Sequence, residues 1–244
     1  SWMNPAFDTE YIFEPGLHEF RTAAATTTLR LWSKNRLAAL PGAELQVEGD
    51  GVFISAVEAH RVVLNDLRIR RLGFRGRSDH ATAVDLRGCD QVEVRGCQFA
   101  GHGGMGVRLG AHPGFSVEGR AYDAIGSSMF GCRDVAMADC QFREIAGAAI
   151  GCKAAGVRRL KVLDCLIDGF GSYGVAAEAD SANARLGWLE DVTIARVTCR
   201  NGNPRFWNTK DAQGRPVEQG SIYPFYVGED ANRVVVSDCV TESI

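Results

Sequence analysis

CDQVEVRGCQF, residues 89–99, aligns without a gap with CRDVAMADCQF, residues 132–142. Weaker copies occur before and after these two, most of them with the pattern apolar-x-apolar-x-x-Cys-x-apolar. Their first apolar positions are Leu67, Val92, Val135, Leu160, Val192 and Val234. These spacings indicate a basic unit of about 25 residues, with longer intervals that hold insertions. The chain is therefore built from repeats.

Apolar and polar residues alternate within each unit, which predicts β-strands rather than helices. A second apolar strand follows the repeat cysteine at a constant distance, as Val107 follows Cys97 and Ile150 follows Cys140. Glycine-rich turns separate the two strands. A unit of strand, turn, strand and turn at this period predicts an all-β fold, a right-handed parallel β-helix of stacked coils with loop insertions.

We expect one β-helix domain over residues 1–244, with an N-terminal strand and the first coils in 1–60 and repeat coils in 61–244. Insertions are predicted near 111–130 and 201–230, at comparable points of the repeat, where they would wall one groove. The repeat stops inside a coil, and an uncovered last coil leaves an unpaired strand edge. We therefore expect a longer chain with a further C-terminal domain, or a homo-oligomer that covers this end.

The eight cysteines fall largely at two repeat positions that point inward. This favours free, buried thiols that fill the core, rather than disulfides. The Cys-x-x-Cys spacing of a zinc site is absent, so neither a metal nor another cofactor is predicted. Free thiols favour a reducing, cytoplasmic compartment. The two classes are Cys97, Cys140, Cys165 and Cys239 in one column and Cys89 and Cys132 in the other.

EYIFEPGLHEF at 10–20 and TTTLRLWSKNRLAALPGAELQVEGDGVFIS at 26–55 resemble the pectate-lyase-like right-handed β-helix superfamily, which includes polysaccharide lyases and polygalacturonases. The resemblance extends over nearly the whole chain. It implies the fold, a carbohydrate-active function and a secreted or periplasmic location. The free thiols favour the cytoplasm instead, so the compartment stays open. It also allows calcium, but the sequence has no acidic cluster typical of a calcium site.

His102 lies in a Gly-His-Gly turn similar to one that carries a catalytic-site histidine in polygalacturonases. The aspartate motifs of that family are missing here, so its hydrolase assignment does not transfer. The repeat column of His102 continues with Ile145 and Phe170, which favours a partly buried turn histidine. The catalytic and the structural interpretations both stay open.

The outward positions of the second strand hold Asp85, Arg108 and, two positions further along, Lys153. β-Elimination at a uronate needs a base, positive charge for the developing enolate and an acid for the leaving oxygen. Arg108, Lys153 and His102, with Asp85, therefore form the predicted catalytic set. The alternative for Asp85 and Arg108, one coil apart, is a cross-strand ion pair on a solvated face.

Residues 61–108 contain nine arginines, no lysine and five acidic residues, a formal charge of +4 in a chain of −3. Arg70 and Arg95 are predicted to share one outward column in adjacent coils. Like charges in that position repel unless an anion lies between them or they splay into water. This predicts a site for an acidic polysaccharide or another anionic ligand. The overall charge disfavours nucleic acid, and no apolar run is long enough to span a membrane.

Tyr173, Trp207 and Tyr226 are candidates to stack on sugar rings, the latter two from the predicted insertion. The alternative is that this insertion packs back on its own coil. The leading hypothesis is a polysaccharide lyase-like protein that acts on an acidic polysaccharide. The alternatives are a non-catalytic saccharide-binding or structural β-helix of the phage-tail or surface type, and a small-molecule cyclase or isomerase with a loop-lined pocket. Whether the chain is an enzyme stays open.

Overall fold

The chain forms a right-handed parallel β-helix in a computed structural model, as its repeat predicts. The structure describes residues 8–23, 26–73, 80–110, 116–117, 120–121, 131–153, 157–177, 189–203, 222–228 and 231–244. Each complete coil contributes one strand to each of three parallel sheets, called here A, B and C. The sequence predicted two strands in each coil, so the prediction missed one strand of each coil.

The strands of each sheet follow in chain order, one coil apart. Sheet A contains β1 (Glu10–Phe13), β4 (Arg36–Ala39), β7 (His60–Asn65), β10 (Asp90–Arg95), β15 (Arg133–Ala138), β18 (Arg158–Leu163), β21 (Leu189–Ala195) and β24 (Ala231–Ser237). Sheet B contains β2 (Gly16–Arg21), β5 (Ala43–Glu48), β8 (Arg68–Arg71), β11 (Gln98–Ala100), β16 (Gln141–Ile145), β19 (Leu166–Phe170), β22 (Thr198–Gly202) and β25 (Val240–Glu242). Sheet C contains β3 (Thr27–Leu31), β6 (Val52–Val57), β9 (Val84–Arg87), β12 (Val107–Gly110), β17 (Ile150–Lys153), β20 (Tyr173–Ala177) and β23 (Tyr223–Val227). A short antiparallel pair, β13 (Ser116–Val117) and β14 (Arg120–Ala121), stands apart.

The register within sheets A and C is the one that the repeat predicts. Val92 pairs with Val62 on one side and Val135 on the other. In sheet C, Val107 likewise pairs with Ile150 of the next coil. Both columns point into the core, because each strand alternates between an inward and an outward face. The predicted alignment of the strong repeats is therefore confirmed.

The weak early copy that begins at Leu67 is placed differently from its prediction. Residues Arg68–Arg71 form a strand of sheet B, and the sheet A strand of that coil is His60–Asn65. Arg70 therefore pairs with Ala100, whereas Arg95 pairs with Asn65. The prediction that Arg70 and Arg95 share one outward column is wrong, because the two side chains belong to different sheets.

The two long insertions also leave the coil at different corners. The segment near 111–130 follows a strand of sheet C and leads to sheet A. The segment within 201–230 follows a strand of sheet B and leads to sheet C, and residues 201–202 and 223–227 of it are themselves strand. The prediction that the insertions interrupt comparable points of the repeat is therefore wrong. Residues 204–221 and most of 111–130 lie outside the described residues.

The core is a stack of apolar columns, one for each inward position. Phe99 and Phe142 stack in neighbouring coils, with ring centroids 5.1 Å apart. All eight cysteines are free, and all but Cys239 are buried, which confirms their interpretation as core thiols. Their Sγ atoms lie near backbone carbonyl oxygens, as Cys97 Sγ does at 3.4 Å from that of Leu64.

A column of residues with left-handed backbone turns the chain from sheet A into sheet B in every later coil. Gly96 and Asp139, with φ of 63° and 57°, occupy this position in successive coils. Aspartate and glycine tolerate this conformation better than most residues. The full column is Asp66, Gly96, Asp139, Asp164, Arg196 and Asp238. The sharp corner is thus made by one residue whose backbone geometry recurs in each coil.

We expect Phe142→Ala to lower the free energy of unfolding by about 3–5 kcal/mol, since it opens a cavity in a stacked aromatic column. The Phe142 ring is tightly enclosed by its neighbours, since a Cβ built on Gly106 would lie 2.6 Å from it. Urea unfolding followed by circular dichroism measures the change. The matched control Gln141→Ala, one residue earlier on the outward face, should shift the free energy far less, and equal losses would contradict the packing assignment.

Candidate functional site

The predicted catalytic and binding residues lie in four different places. Three of the catalytic candidates and two tyrosines are on the strands of sheet C, namely Asp85, Arg108, Lys153, Tyr173 and Tyr226. Arg70 is on sheet B and Arg95 on sheet A, where it pairs with Asp139 at 3.3 Å. His102 is in the interior, and Trp207 lies outside the described residues. The predicted set therefore does not form one site.

His102 is completely buried, at the inner side of the corner between sheets B and C. Its Nδ1 accepts a hydrogen bond from Nε of the buried Arg71 at 3.3 Å. Burial first, and then the positive charge of Arg71, lower the pKa of His102 to about 3. A neutral imidazole inside the coil cannot contact a ligand at the surface. The catalytic hypothesis for His102 is therefore wrong, and its column with Ile145 has the structural role that the apolar neighbours suggested.

Arg71 shares this interior and has no carboxylate among its hydrogen-bond partners in the described residues. Its guanidinium donates to the carbonyl oxygens of Gly49 and Gly51 and to Oγ1 of Thr22, in the two preceding coils. Burial is the main reason that its pKa falls to about 10. The side chain thus satisfies two backbone carbonyl groups of the preceding corner, links side chains of other coils, and takes no part in a surface site.

Asp85 and Arg108 form the cross-strand ion pair that their spacing predicts, but the expected solvated face is wrong, because Asp85 is buried. Nε of Arg108 donates to Oδ1 of Asp85 at 2.8 Å, and Nε of Arg87 donates to Oδ2 at 2.9 Å. Burial acts to raise the pKa of Asp85, but the hydrogen bonds and charges of Arg108 and Arg87 outweigh it and hold the pKa below its ordinary value. Both carboxylate oxygens are already occupied, so Asp85 is poorly placed to accept a proton from a ligand.

The two positions that follow Arg108 in the outward column of sheet C are closed to solvent. Arg108 is followed by Gly151 and then by Ala176, and both are buried. The backbone of Lys153 lies in the same strand as Gly151, while its side chain is outside the described residues. At the far end of the column, Tyr226 pairs with Ala176.

Three tyrosines cluster at that end of sheet C. Tyr173 and Tyr223 stack in neighbouring coils with centroids 6.0 Å apart, and Tyr226 lies 5.3 Å from Tyr173. Tyr223 is 42% exposed. The structure therefore brings the predicted Tyr173 and Tyr226 together and adds a third ring, Tyr223.

An open groove runs along the outward face of sheet B. Its volume is about 610 Å³. It reaches from Glu44 in the second coil to Asn201 in the seventh, about 24 Å at the spacing of adjacent strands. The polar side chains that line it are Glu44, Arg68, Arg70, Gln98, Gln141, Arg143, Glu144, Asp168 and Asn201.

Arginines elsewhere on the described surface mostly have an acidic partner in a neighbouring coil. The pairs Arg159–Asp134, Arg196–Asp164 and Arg233–Asp191 are examples. In the groove, Arg70 and Arg143 have no acidic group of the described residues within ion-pair distance. They lie on either side of Ala100 in one outward column. The groove therefore presents two guanidinium groups across a gap that a small side chain leaves open.

The acidic side of the groove is organised around Asp168. Nη2 of Arg200 donates to Oδ2 of Asp168 at 2.8 Å, and Nδ2 of Asn201 donates to Oδ1 at 2.6 Å. The hydrogen bond from Arg200 is the main cause of a lowered pKa for Asp168, which keeps the carboxylate ionised. Arg143 faces Asp168 across the strands but makes its hydrogen bond to Gln141 instead.

Of the polar residues that line the groove, only Arg70 was predicted from the sequence; Gln98, Gln141, Arg143 and Asp168 are among those that were missed. The signal was present in the repeat, since QF at 98–99 recurs as QF at 141–142 directly after the cysteine. Recognising that dipeptide as a separate strand would have placed Arg70 and Arg143 in one column.

Among the described residues, no group of three or more His, Cys, Asp or Glu is placed to hold a metal ion. Nor does that part of the chain include a helix of the length and apolar character needed to cross a membrane.

No family model and no curated protein matches the sequence. Among solved structures, a protein assigned to the glycosyl hydrolases, from Parabacteroides merdae ATCC 43184, is similar with a TM-score of 0.48 and 11% identity, over 95% of this chain and 82% of that chain. The catalytic domain of a GH87 alpha-1,3-glucanase in complex with nigerose has a TM-score of 0.32 and 10% identity, over 98% of this chain and 60% of its own. These similarities are too low to place the chain in a family.

We expect the pKa of His102 to make stability depend on pH. The unfolded chain takes up a proton near pH 6.5, whereas the folded protein resists it down to about pH 3. The stability that neutral His102 contributes is therefore complete above about pH 6.5 and is lost as the pH falls toward 3. His102→Asn, which keeps an acceptor for Arg71 and does not titrate, should flatten the plot of unfolding free energy against pH in this range.

The matched control is His18→Asn, which replaces a half-buried histidine at the first coil. Urea unfolding at several pH values measures both variants. An unchanged slope for His102→Asn, or an equal flattening for His18→Asn, would show that His102 is not the group responsible.

Proposed function

We propose that the protein binds an anionic saccharide along the outward face of sheet B. The observation that carries this proposal is the pair of guanidinium groups on either side of Ala100. Arg70 and Arg143 have no acidic group of the described residues within ion-pair distance, on a surface where arginines generally do. Two guanidinium groups two strands apart repel each other, and an anion held between them would replace that repulsion by attraction to both. A carboxylate or sulfate group supplies that anion, and the planar fork of arginine suits its geometry.

The shape and lining of the groove favour a polymer over a small ligand. The groove is open and spans several coils, so a chain can lie along the axis of the β-helix. Gln98, Gln141 and Asn201 place side-chain amides beside the arginines. Amides both donate and accept hydrogen bonds, which matches the hydroxyl groups of a saccharide. The charged and uncharged side chains together therefore fit an acidic polysaccharide.

We propose binding as the function in preference to β-elimination. In the catalytic set expected for elimination, His102 is buried in the interior, and both carboxylate oxygens of Asp85 accept hydrogen bonds from arginines. The acid and base of that reaction must reach the reacting sugar directly. Binding of a saccharide in the groove on sheet B, in contrast, needs only hydrogen bonds and ion pairs with side chains that line the groove.

We expect the double substitution Arg70→Ala and Arg143→Ala to weaken binding of polygalacturonate oligosaccharides by about 10- to 100-fold. This corresponds to the loss of one or two charge-assisted hydrogen bonds, at about 1.5–3 kcal/mol each. Isothermal titration calorimetry at low ionic strength measures the affinity. Added salt should weaken wild-type binding, since the groove is exposed.

The matched control is Arg61→Ala on sheet A. This exposed arginine has Gln91 as its hydrogen-bond partner, so its removal lowers the net charge without touching the groove. Equal losses for the control and the double variant would leave only a general charge effect and contradict the proposal. So would equally tight binding of neutral dextran. Release of unsaturated uronate ends by the wild type, followed by ultraviolet absorbance, would show that the protein is a lyase.

A further inference from the structure

The groove on sheet B carries its charges in a fixed order along the β-helix axis, and this order bears on the kind of saccharide that it selects. Such selection rests on the proposed function, since it concerns the same groove. Glu44 lies in the second coil, Arg70 in the third, Ala100 in the fourth, Arg143 in the fifth and Asp168 in the sixth. All five line the groove. Arg68 of the third coil and Glu144 of the fifth line it as well. Along the axis the groove is therefore acidic at Glu44, positive at Arg68 and Arg70, uncharged at Ala100, mixed at Arg143 and Glu144, and acidic at Asp168.

The central gap is built to receive a single anionic group. Arg70 pairs with Ala100, and Ala100 pairs with Arg143, so the two arginines stand two strand spacings apart, about 9.6 Å. Arginine side chains are long enough to converge on a group above Ala100 from both sides. The methyl group of Ala100 leaves that space open. We call Arg70, Ala100 and Arg143 the anion gap.

Carboxylates lie toward both ends of the groove. Asp168 stands in the column of Ala100, two coils after it, whereas Glu44 stands two coils before it in the neighbouring outward column, two residues ahead of Gln46. Asp168 stays ionised because Arg200 and Asn201 hydrogen-bond its carboxylate. Glu144, exposed in the fifth coil, adds a third carboxylate on the Asp168 side. A second anionic group on the ligand, placed toward either end, therefore meets like charge.

We infer that the groove selects a heteropolysaccharide in which each acidic sugar is flanked by uncharged sugars, and disfavours a homopolymer of uronates. An isolated acidic sugar places its carboxylate in the anion gap and neutral rings beside Glu44 and Asp168. A homopolyuronate gains the same central contact but brings further carboxylates against those two residues. Selection therefore comes from repulsion at the ends as well as attraction at the centre.

The first test compares two polymers of matched length on the wild-type protein. Hyaluronan oligosaccharides alternate a uronate with a neutral acetamido sugar, whereas polygalacturonate oligosaccharides carry a carboxylate on every ring. We expect hyaluronan to bind about tenfold more tightly at low salt, the scale of two weak surface repulsions. Equal affinity, or tighter binding of polygalacturonate, would overturn this inference while leaving the proposed function intact. Binding of neither polymer would overturn the proposed function itself.

The second test removes the charges of Glu44 and Asp168. Glu44→Gln together with Asp168→Asn should raise the affinity for polygalacturonate to that for hyaluronan and change the latter little. The matched control is Glu93→Gln, an exposed carboxylate on sheet A, which should leave the preference unchanged. If the double variant keeps the wild-type preference, or the control abolishes it, these two carboxylates are not the selecting feature.

The third test fills the anion gap with a carboxylate of the protein's own. Ala100→Glu places an acidic group in register with Arg70 and Arg143, so it should compete with every anionic ligand. We expect binding of both polymers to fall by at least about tenfold, with the midpoint of thermal unfolding unchanged or raised. Retained binding in this folded variant would show that the anion does not lie above Ala100.

Discussion

Hydrogen bonding between parallel strands of successive coils is the constraint on which the rest of this structure depends. Each strand pairs with the strand one coil before and one coil after, so every residue position becomes a column. Inward columns collect side chains that pack on their own kind, such as Phe99 on Phe142. Outward columns set charged groups directly against one another. The residues of one column therefore decide whether it holds an ion pair, as at Asp85 and Arg108, or a guanidinium without an acidic partner among the described residues, as at Arg70.

Sheets A and C were predictable because their strands carry a long apolar alternation with a constant offset. Val92 and Val107 mark these strands, and their partners in the next coil lie where the repeat places them. Sheet B was missed at the first strong repeat because its strand there has only three residues. Gln98–Ala100 has a single fully buried apolar residue, Phe99, and reads as the end of the preceding strand.

The site was less predictable than the fold, because the face of the β-helix on which a side chain lies depends on the sheet to which its residue belongs. The arginine-rich run at 61–108 suggested one charged region. The structure distributes it over three sheets and the interior, with Arg95 on sheet A, Arg70 on sheet B, Arg108 on sheet C and Arg71 in the core. A shift of one strand thus moves a guanidinium to another face. The anion gap becomes visible only when the strands of sheet B are aligned.

The left-handed residue at the corner between sheets A and B limits how this scaffold can change in length. From the third coil onward, every connection there contains two residues, as at 96–97 and 139–140. A longer connection would lose the tight bend that this single residue makes. Insertions are instead found at the two borders of sheet C. Sheets A and B thus form one edge of fixed dimensions, and new loops grafted beside sheet C should leave the groove on sheet B undisturbed.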